Sequence, residues 1–177
     1  LQLDILLKRM ARKYKVEVET RTPKVAYRET IKGTAEVQGK HKKQTGGHGQ
    51  FGDVWLRLKP NARGAGYEFV DSVVGGVVPK QYIPHVDKGS YEALQQGVIS
   101  GNPVVDIIVE LYFGSFHAVD SSEMAFKIAA RKAIQKAVKE AKPCLLEPIM
   151  EIAVTVPSEF MGDISGDMNS RRGRLLG

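Results

Sequence analysis

Ala35, Val37 and Gly39 alternate with polar residues, and Val54, Leu56 and Leu58 alternate with Asp53, Trp55, Arg57 and Lys59. A period of two sends successive side chains to opposite faces, so both runs read as half-buried strands. Between them lies Gln44-Thr45-Gly46-Gly47-His48-Gly49-Gln50-Phe51-Gly52. This connection is too long and too flexible for a tight hairpin turn, and it projects from the sheet.

The neighbouring segments fit a mixed sheet-and-helix domain from Lys24 to about Pro148. Tyr67 and Phe69 repeat the strand pattern. Ile83-Pro84 opens a helix that Gly97 ends, because proline suits a first helical turn and glycine a C-terminal cap. Val104 to Tyr112 reads as a strand with Val105, Ile107, Val109 and Leu111 on one face. The connection Phe113-Gly114-Ser115-Phe116-His117-Ala118-Val119 follows. Asp120-Ser121-Ser122-Glu123 then resembles a capping box with aspartate as the cap. Phe126, Ala130, Ala133, Ala137 and Ala141 form one helical stripe, Lys132, Lys136 and Lys139 face elsewhere, and Pro143 stops the helix.

On one flank, Leu3, Ile5, Leu6, Leu7 and Met10 interleave with Lys8, Arg9, Arg12 and Lys13 as an amphipathic helix. Val16-Glu17-Val18-Glu19 alternates as a short strand before Thr22-Pro23. On the other flank, Met150, Ile152, Val154 and Val156 alternate as a strand, and Pro157-Ser158 leads into a helix through Phe160-Met161-Gly162-Asp163-Ile164. The expected organisation is therefore one complete α+β domain, residues 23–147, between incomplete pieces at 1–22 and 148–177. Exposed strand edges on such pieces favour self-association. A first residue already helical and uncapped marks the expected boundary of a fragment.

At 177 residues and 42% apolar content, the chain can bury one ordinary core. No apolar run reaches the roughly 18 residues of a membrane span. Cys144 is the single cysteine, which excludes an internal disulfide and a multi-cysteine metal site and fits a cytoplasmic protein. The net charge is +6, and Lys40, His41, Lys42, Lys43 and His48 fall in one stretch without an acid. Arg171, Arg172 and Arg174 form a second cluster. Clustered cations of this kind favour a nucleic-acid partner over an evenly basic surface.

Catalytic signatures are missing from the sequence. It holds no Gly-x-x-x-x-Gly-Lys-[Ser/Thr] phosphate loop, so no GTP- or ATP-gripping motif is recognisable and an enzyme is not expected in these residues. The four histidines, at 41, 48, 85 and 117, lack metal-ligand spacing. Ser115 and His117 are near in sequence, but neighbouring loop residues seldom converge as nucleophile and base. Gly75-Gly76 before the helix at Pro84 could hold an anion, although a tight turn is the simpler expectation. The connections 44–52 and 113–119 each combine glycine with histidine. Composition leaves open whether they are recognition loops or merely tolerant exposed ones.

Four longer motifs bear on that choice: Gln44 through Gly52; Gly75-Gly76-Val77-Val78-Pro79-Lys80-Gln81-Tyr82-Ile83-Pro84; Val119-Asp120-Ser121-Ser122-Glu123-Met124-Ala125-Phe126-Lys127; and Met161-Gly162-Asp163 with Asn169-Ser170-Arg171-Arg172-Gly173. In this order they resemble bacterial-type translation elongation factor G, from the end of its third domain, through its fourth, into its fifth. The resemblance implies a ribosomal protein S5 domain 2-like central domain between ferredoxin-like pieces. It implies a fragment of a translational GTPase that promotes tRNA–mRNA translocation, with GTP and magnesium bound in a domain outside these residues. The implied partners are the ribosome's small-subunit decoding region, its rRNA, and the tRNA–mRNA pair, with no membrane involved. Tip-loop contacts with the codon–anticodon helix fall on Gly47, His48, Gly49, Gln50, Ser115, Phe116 and His117, while Lys40, Lys42 and Lys43 supply electrostatic steering. The family commonly has tyrosine before the tip histidine and an acid after it, where this chain has Phe116 and Ala118. Competing readings are a small-molecule kinase-like domain of the same fold class and an integral ribosomal protein.

Overall fold

The computed structural model describes residues 2–44, 47 and 49–176. Helix α1 (Gln2–Tyr14) precedes a body built from β1 (Arg28–Ile31), β2 (Ala35–Lys43), β3 (Gln50–Pro60), β4 (Tyr67–Asp71), α2 (Ile83–Gln96), β5 (Ile107–Ser115), α3 (Glu123–Glu140) and β6 (Pro143–Leu146). Helix α4 (Met161–Ser170) follows. Four strands form a sheet in the order β2-β3-β5-β4, while β1 and β6 make a separate antiparallel pair. Within the sheet β2 pairs with β3 and β3 with β5 antiparallel; β4 and β5 are parallel, joined through α2.

Alternation decides which face is covered. Val37, Val54, Leu56, Leu58, Ile107, Val109 and Leu111 are buried, and they meet Val86 and Leu94 of α2 and Phe126, Ala130, Ala133 and Ile134 of α3. The opposite face carries an ionic ladder in which Arg57 bonds Glu36 at 2.6 Å and Glu110 at 3.2 Å, with Lys59 on Glu110 at 2.9 Å. Gly39 stands where the β2 pattern calls for an apolar residue because α3 leaves no room there. A Cβ on Gly39 would lie 2.2 Å from the Ala129 carbonyl oxygen and 2.6 Å from the Ala133 methyl. The alanine stripe of α3 and this glycine together let helix and sheet approach at backbone distance.

Glu29 is buried completely and clasps the loop after α2. Its carboxylate accepts from the amides of Val98, Ile99, Ser100 and Asn102 and from the Ser100 hydroxyl. Burial pushes its pKa up, but the amides of Ser100, Val98 and Ile99 and the Ser100 hydroxyl outweigh that and hold it below the ordinary carboxylate value.

The structure departs from the sequence-based expectations in six places. Val16–Glu19 and residues 150–156 are not strands, and their apolar side chains are exposed. Alternation supplies a strand's faces but not its hydrogen bonds, and among the described residues neither segment has a pairing partner. Strand β5 starts at Ile107, not Val104, because Asp106 has φ 58° and breaks the pleat; Val104 is buried and Val105 only half-buried. β5 then runs through Phe113 and Gly114 to Ser115, so the first three residues of the expected 113–119 connection are strand. Likewise Gln50, Phe51 and Gly52 belong to β3, which shortens the first connection to residues 44–49. The cap of α3 is Ser122, whose hydroxyl accepts from the Ala125 amide at 3.2 Å, not Asp120.

Candidate nucleic-acid interface

Antiparallel pairing brings the two connections to one end of the sheet. Lys43 faces Gln50 at the end of β2–β3, and Ser115 at the end of β5 pairs with Asp53 of β3. The ends of the first connection, at Lys43 and Gln50, and residues 116–122 therefore leave the sheet side by side.

Asp120 joins them. Its Oδ1 accepts the Gly49 amide at 3.0 Å, and its carbonyl accepts the Phe51 amide at 2.8 Å. Phe51 and Ser121 form an isolated parallel bridge beside this contact. The clasp depends on glycine at position 49, since a Cβ there would sit 2.8 Å from Asp120 Cγ and push the carboxylate away. Asp120, assigned to helix capping by local pattern, thus spends its carboxylate on the other loop.

His117 occupies the second loop with its side chain more than half exposed. Its amide donates to Ser121 Oγ at 2.8 Å, and its Nδ1 accepts from the amides of Val119 at 3.4 Å and Asp120 at 3.3 Å. With Nδ1 accepting, the neutral ring carries its proton on Nε2. A protonated Nδ1 would instead donate to Asp120 Oδ2, 3.5 Å away. The ring lies 6.3 Å from that of Phe51, tilted by 55°. Lys42, Lys43, Gln44, Gln50, Phe51, His117 and Asp120 line a small open cleft of about 170 Å³ between the loops.

The remaining expected site residues divide. Phe116 is 47% exposed, and Gly47 is exposed with φ 121°. His48 lies outside the described residues. Ser115 points away from the tip: its hydroxyl donates to Asp53 Oδ2 at 2.7 Å, while Gln38 donates to Oδ1 at 2.8 Å. Asp53 is buried, so Ser115 satisfies an interior carboxylate and does not pair with His117 as a nucleophile. Lys40, Lys42 and Lys43 are exposed, and Lys40 Nζ stands 5.6 Å from the Phe51 ring centroid. Among the described residues no carboxylate pairs with these three lysines, in contrast to Arg57 and Lys59. Gly75 and Gly76 form an exposed turn with φ 71° and 68°, the simpler of their two expected roles. Among the described residues no group of histidine, cysteine or acidic side chains could hold a metal, and no helix is long and apolar enough to cross a membrane.

Sequence reasoning passed over Asp120 as a clasp, Asp53 as the partner of Ser115, and His41, which contacts both Gln50 and Lys132. Gln50 Oε1 lies 2.8 Å from His41 Nε2, and Lys132 Nζ lies 3.4 Å from His41 Nδ1.

These features define an α+β domain whose one end is a clasped, cation-flanked pair of loops. Residues 23–142 match the family described as elongation factor G, domain IV, and residues 144–177 match elongation factor G C-terminus. The chain belongs to the elongation factor G domain IV family. It is also similar to a solved structure described as the crystal structure of ttk003000868 from Thermus thermophilus, with 50% sequence identity and a TM-score of 0.87. That match covers 99% of this chain and 26% of the other, so the chain spans about a quarter of its relative's length.

Proposed function

We propose that this chain is the RNA-contacting part of a cytoplasmic translational GTPase that advances tRNA and mRNA on the ribosome. Its domain divisions are the end of a third domain at residues 1–22, a fourth domain at 23–147 and the start of a fifth at 148–177. The tip enters the A site on the small ribosomal subunit, rests on the codon–anticodon helix there and opposes backward slippage. Gly47, His48, Gly49, Gln50, Phe116 and His117 make contact; Lys40, Lys42 and Lys43 steer toward rRNA phosphates; Ser115 shapes the base of the tip through Asp53. GTP and magnesium act in a separate domain of the full-length factor.

The observation carrying this reading is the Asp120 clasp, which holds Gly49–Gln50 and His117 together at the tip, beside lysines that pair with no carboxylate among the described residues. Backbone, amide and imidazole groups can follow the shape and hydroxyls of an RNA helix without demanding a particular base. A factor serving every codon needs that indifference. In the full-length factor, His117→Ala should slow tRNA–mRNA movement in a rapid-mixing assay while ribosome-stimulated GTP hydrolysis persists. Unchanged movement would refute the assignment.

A further inference from the structure

We infer that Lys132, acting through His41, fixes the polarity of the Gln50 amide so that the tip presents hydrogen-bond donors to the acceptor-lined minor groove of an RNA helix. This rests on the RNA-contacting role proposed above and names the chemistry the tip reads.

The chain of contacts crosses three elements. Lys132 of α3 is exposed, His41 of β2 is half-buried and Gln50 of β3 is exposed. Lys132 Nζ lies 3.4 Å from His41 Nδ1 and 3.5 Å from the Lys40 carbonyl oxygen. An ammonium can only donate, so Nδ1 is the acceptor. The neutral ring then has its N–H at Nε2, and the atom 2.8 Å beyond must accept, which selects Gln50 Oε1. The amide NH2, on the other limb of the same plane, is turned away from the ring. One lysine on a helix thereby decides which end of an amide faces outward on a neighbouring strand.

That choice has a consequence for recognition. In the minor groove every Watson–Crick pair offers purine N3 and pyrimidine O2 as acceptors, and among the base edges only guanine adds a donor, its N2 amine; the ribose hydroxyls, alike at every nucleotide, donate or accept and carry no sequence information. An outward NH2 finds an acceptor at every pair. Against the base edges an outward carbonyl would find a donor only at guanine, making that part of the contact depend on codon sequence. The Lys132–His41 pair is therefore a positioning device for sequence-independent contact.

The test has two arms on the whole chain. Nitrogen-15 spectra of the His41 ring should show Nε2–H and a bare Nδ1 in the parent chain, a tautomer mixture in Lys132→Met, and the parent pattern again in Lys132→Arg. Binding to small ribosomal subunits programmed with mRNA and tRNA should weaken about threefold to tenfold in Lys132→Met, the worth of one hydrogen bond. It should also become dependent on the guanine content of the codon, with Lys132→Arg restoring indifference. Lys136→Met, one turn along α3, controls for loss of a charge alone. A ring that is Nδ1–H in the parent, or unchanged in Lys132→Met, overturns the relay. Equal weakening by Lys132→Met and Lys136→Met without codon dependence overturns its role in recognition. If the parent chain binds no subunits, the RNA-contacting function falls and the recognition role with it, while the ring spectra still decide the relay separately.

Discussion

The Gly49 amide donates to Asp120 Oδ1 at 3.0 Å across 71 positions of sequence. Both loops depend on that bond, because the same residue accepts the Phe51 amide through its carbonyl and stands beside the His117 ring. Asp120→Ala should cost about 1.5–3 kcal/mol in urea unfolding, the range for hydrogen bonds to a charged group, and should speed amide exchange at Gly49. Gly49→Ala should reproduce most of this loss, since its new methyl displaces the carboxylate. The double variant should then be clearly less than additive, as expected of two changes that break one contact. Full additivity would show that the loops are held independently.

The contact between β2 and α3 gives a sharper steric prediction. Gly39→Ala places a methyl 2.2 Å from the Ala129 carbonyl oxygen, which cannot rotate away. Helix α3 must shift from the sheet, with an expected loss of about 1–3 kcal/mol as in other overpacked cores, measured as a lower urea midpoint. Gly64→Ala is the useful comparison. Nothing lies near its added methyl, so any cost there comes from φ 84° alone.

Much of this body could be read from local pattern, and the exceptions share a physical cause. Gly97 closing α2, the alanine stripe of α3 and the alternation of β2 and β3 are properties of one segment against one core. Val16–Glu19 misled because alternation does not supply a hydrogen-bonding neighbour. Asp120 misled for the opposite reason: Asp-x-x-Glu is a sound local cap, but Ser122 caps the helix and frees the aspartate for a bond to Gly49. At the tip, glycine and histidine content marked two exposed connections but left open whether they are recognition loops. The network Lys132–His41–Gln50 was not visible, because it exists only once α3 lies across β2.

Glu29 makes stability depend on acidity in a defined direction. Its folded pKa lies below the ordinary value, so the unfolded chain takes up its proton first as pH falls. The contribution is complete above the unfolded carboxyl value of about 4.3 and is lost as pH falls through the lower folded value. Glu29→Gln should remove this part of the acid sensitivity. It should also cost about 2–4 kcal/mol at neutral pH, since the amide's NH2 would face backbone donors in a buried site. Denaturant titrations of both proteins from neutral pH down through and below the unfolded carboxyl value of about 4.3 would check sign and size together. A variant that keeps the parent's full acid dependence would place that dependence elsewhere.

The lysines at the tip should behave differently from the cations on the open sheet face. Arg57 is held between Glu36 and Glu110, so its charge is already compensated within the protein. Lys42 and Lys43 line the tip cleft and pair with no carboxylate among the described residues. A cation that neutralises an RNA phosphate releases condensed counterions, and affinity then falls with salt by roughly one logarithmic unit of slope per contact. Binding of the chain to small ribosomal subunits, followed over a salt series, should therefore lose roughly one unit of slope for each of Lys42→Gln and Lys43→Gln. Arg57→Gln should leave the slope unchanged, although the lost ion pairs lower stability slightly. Equal slopes for all four proteins would mean that the tip lysines do not meet phosphate. A loss confined to Arg57→Gln would move the interface from the tip to the open face of the sheet.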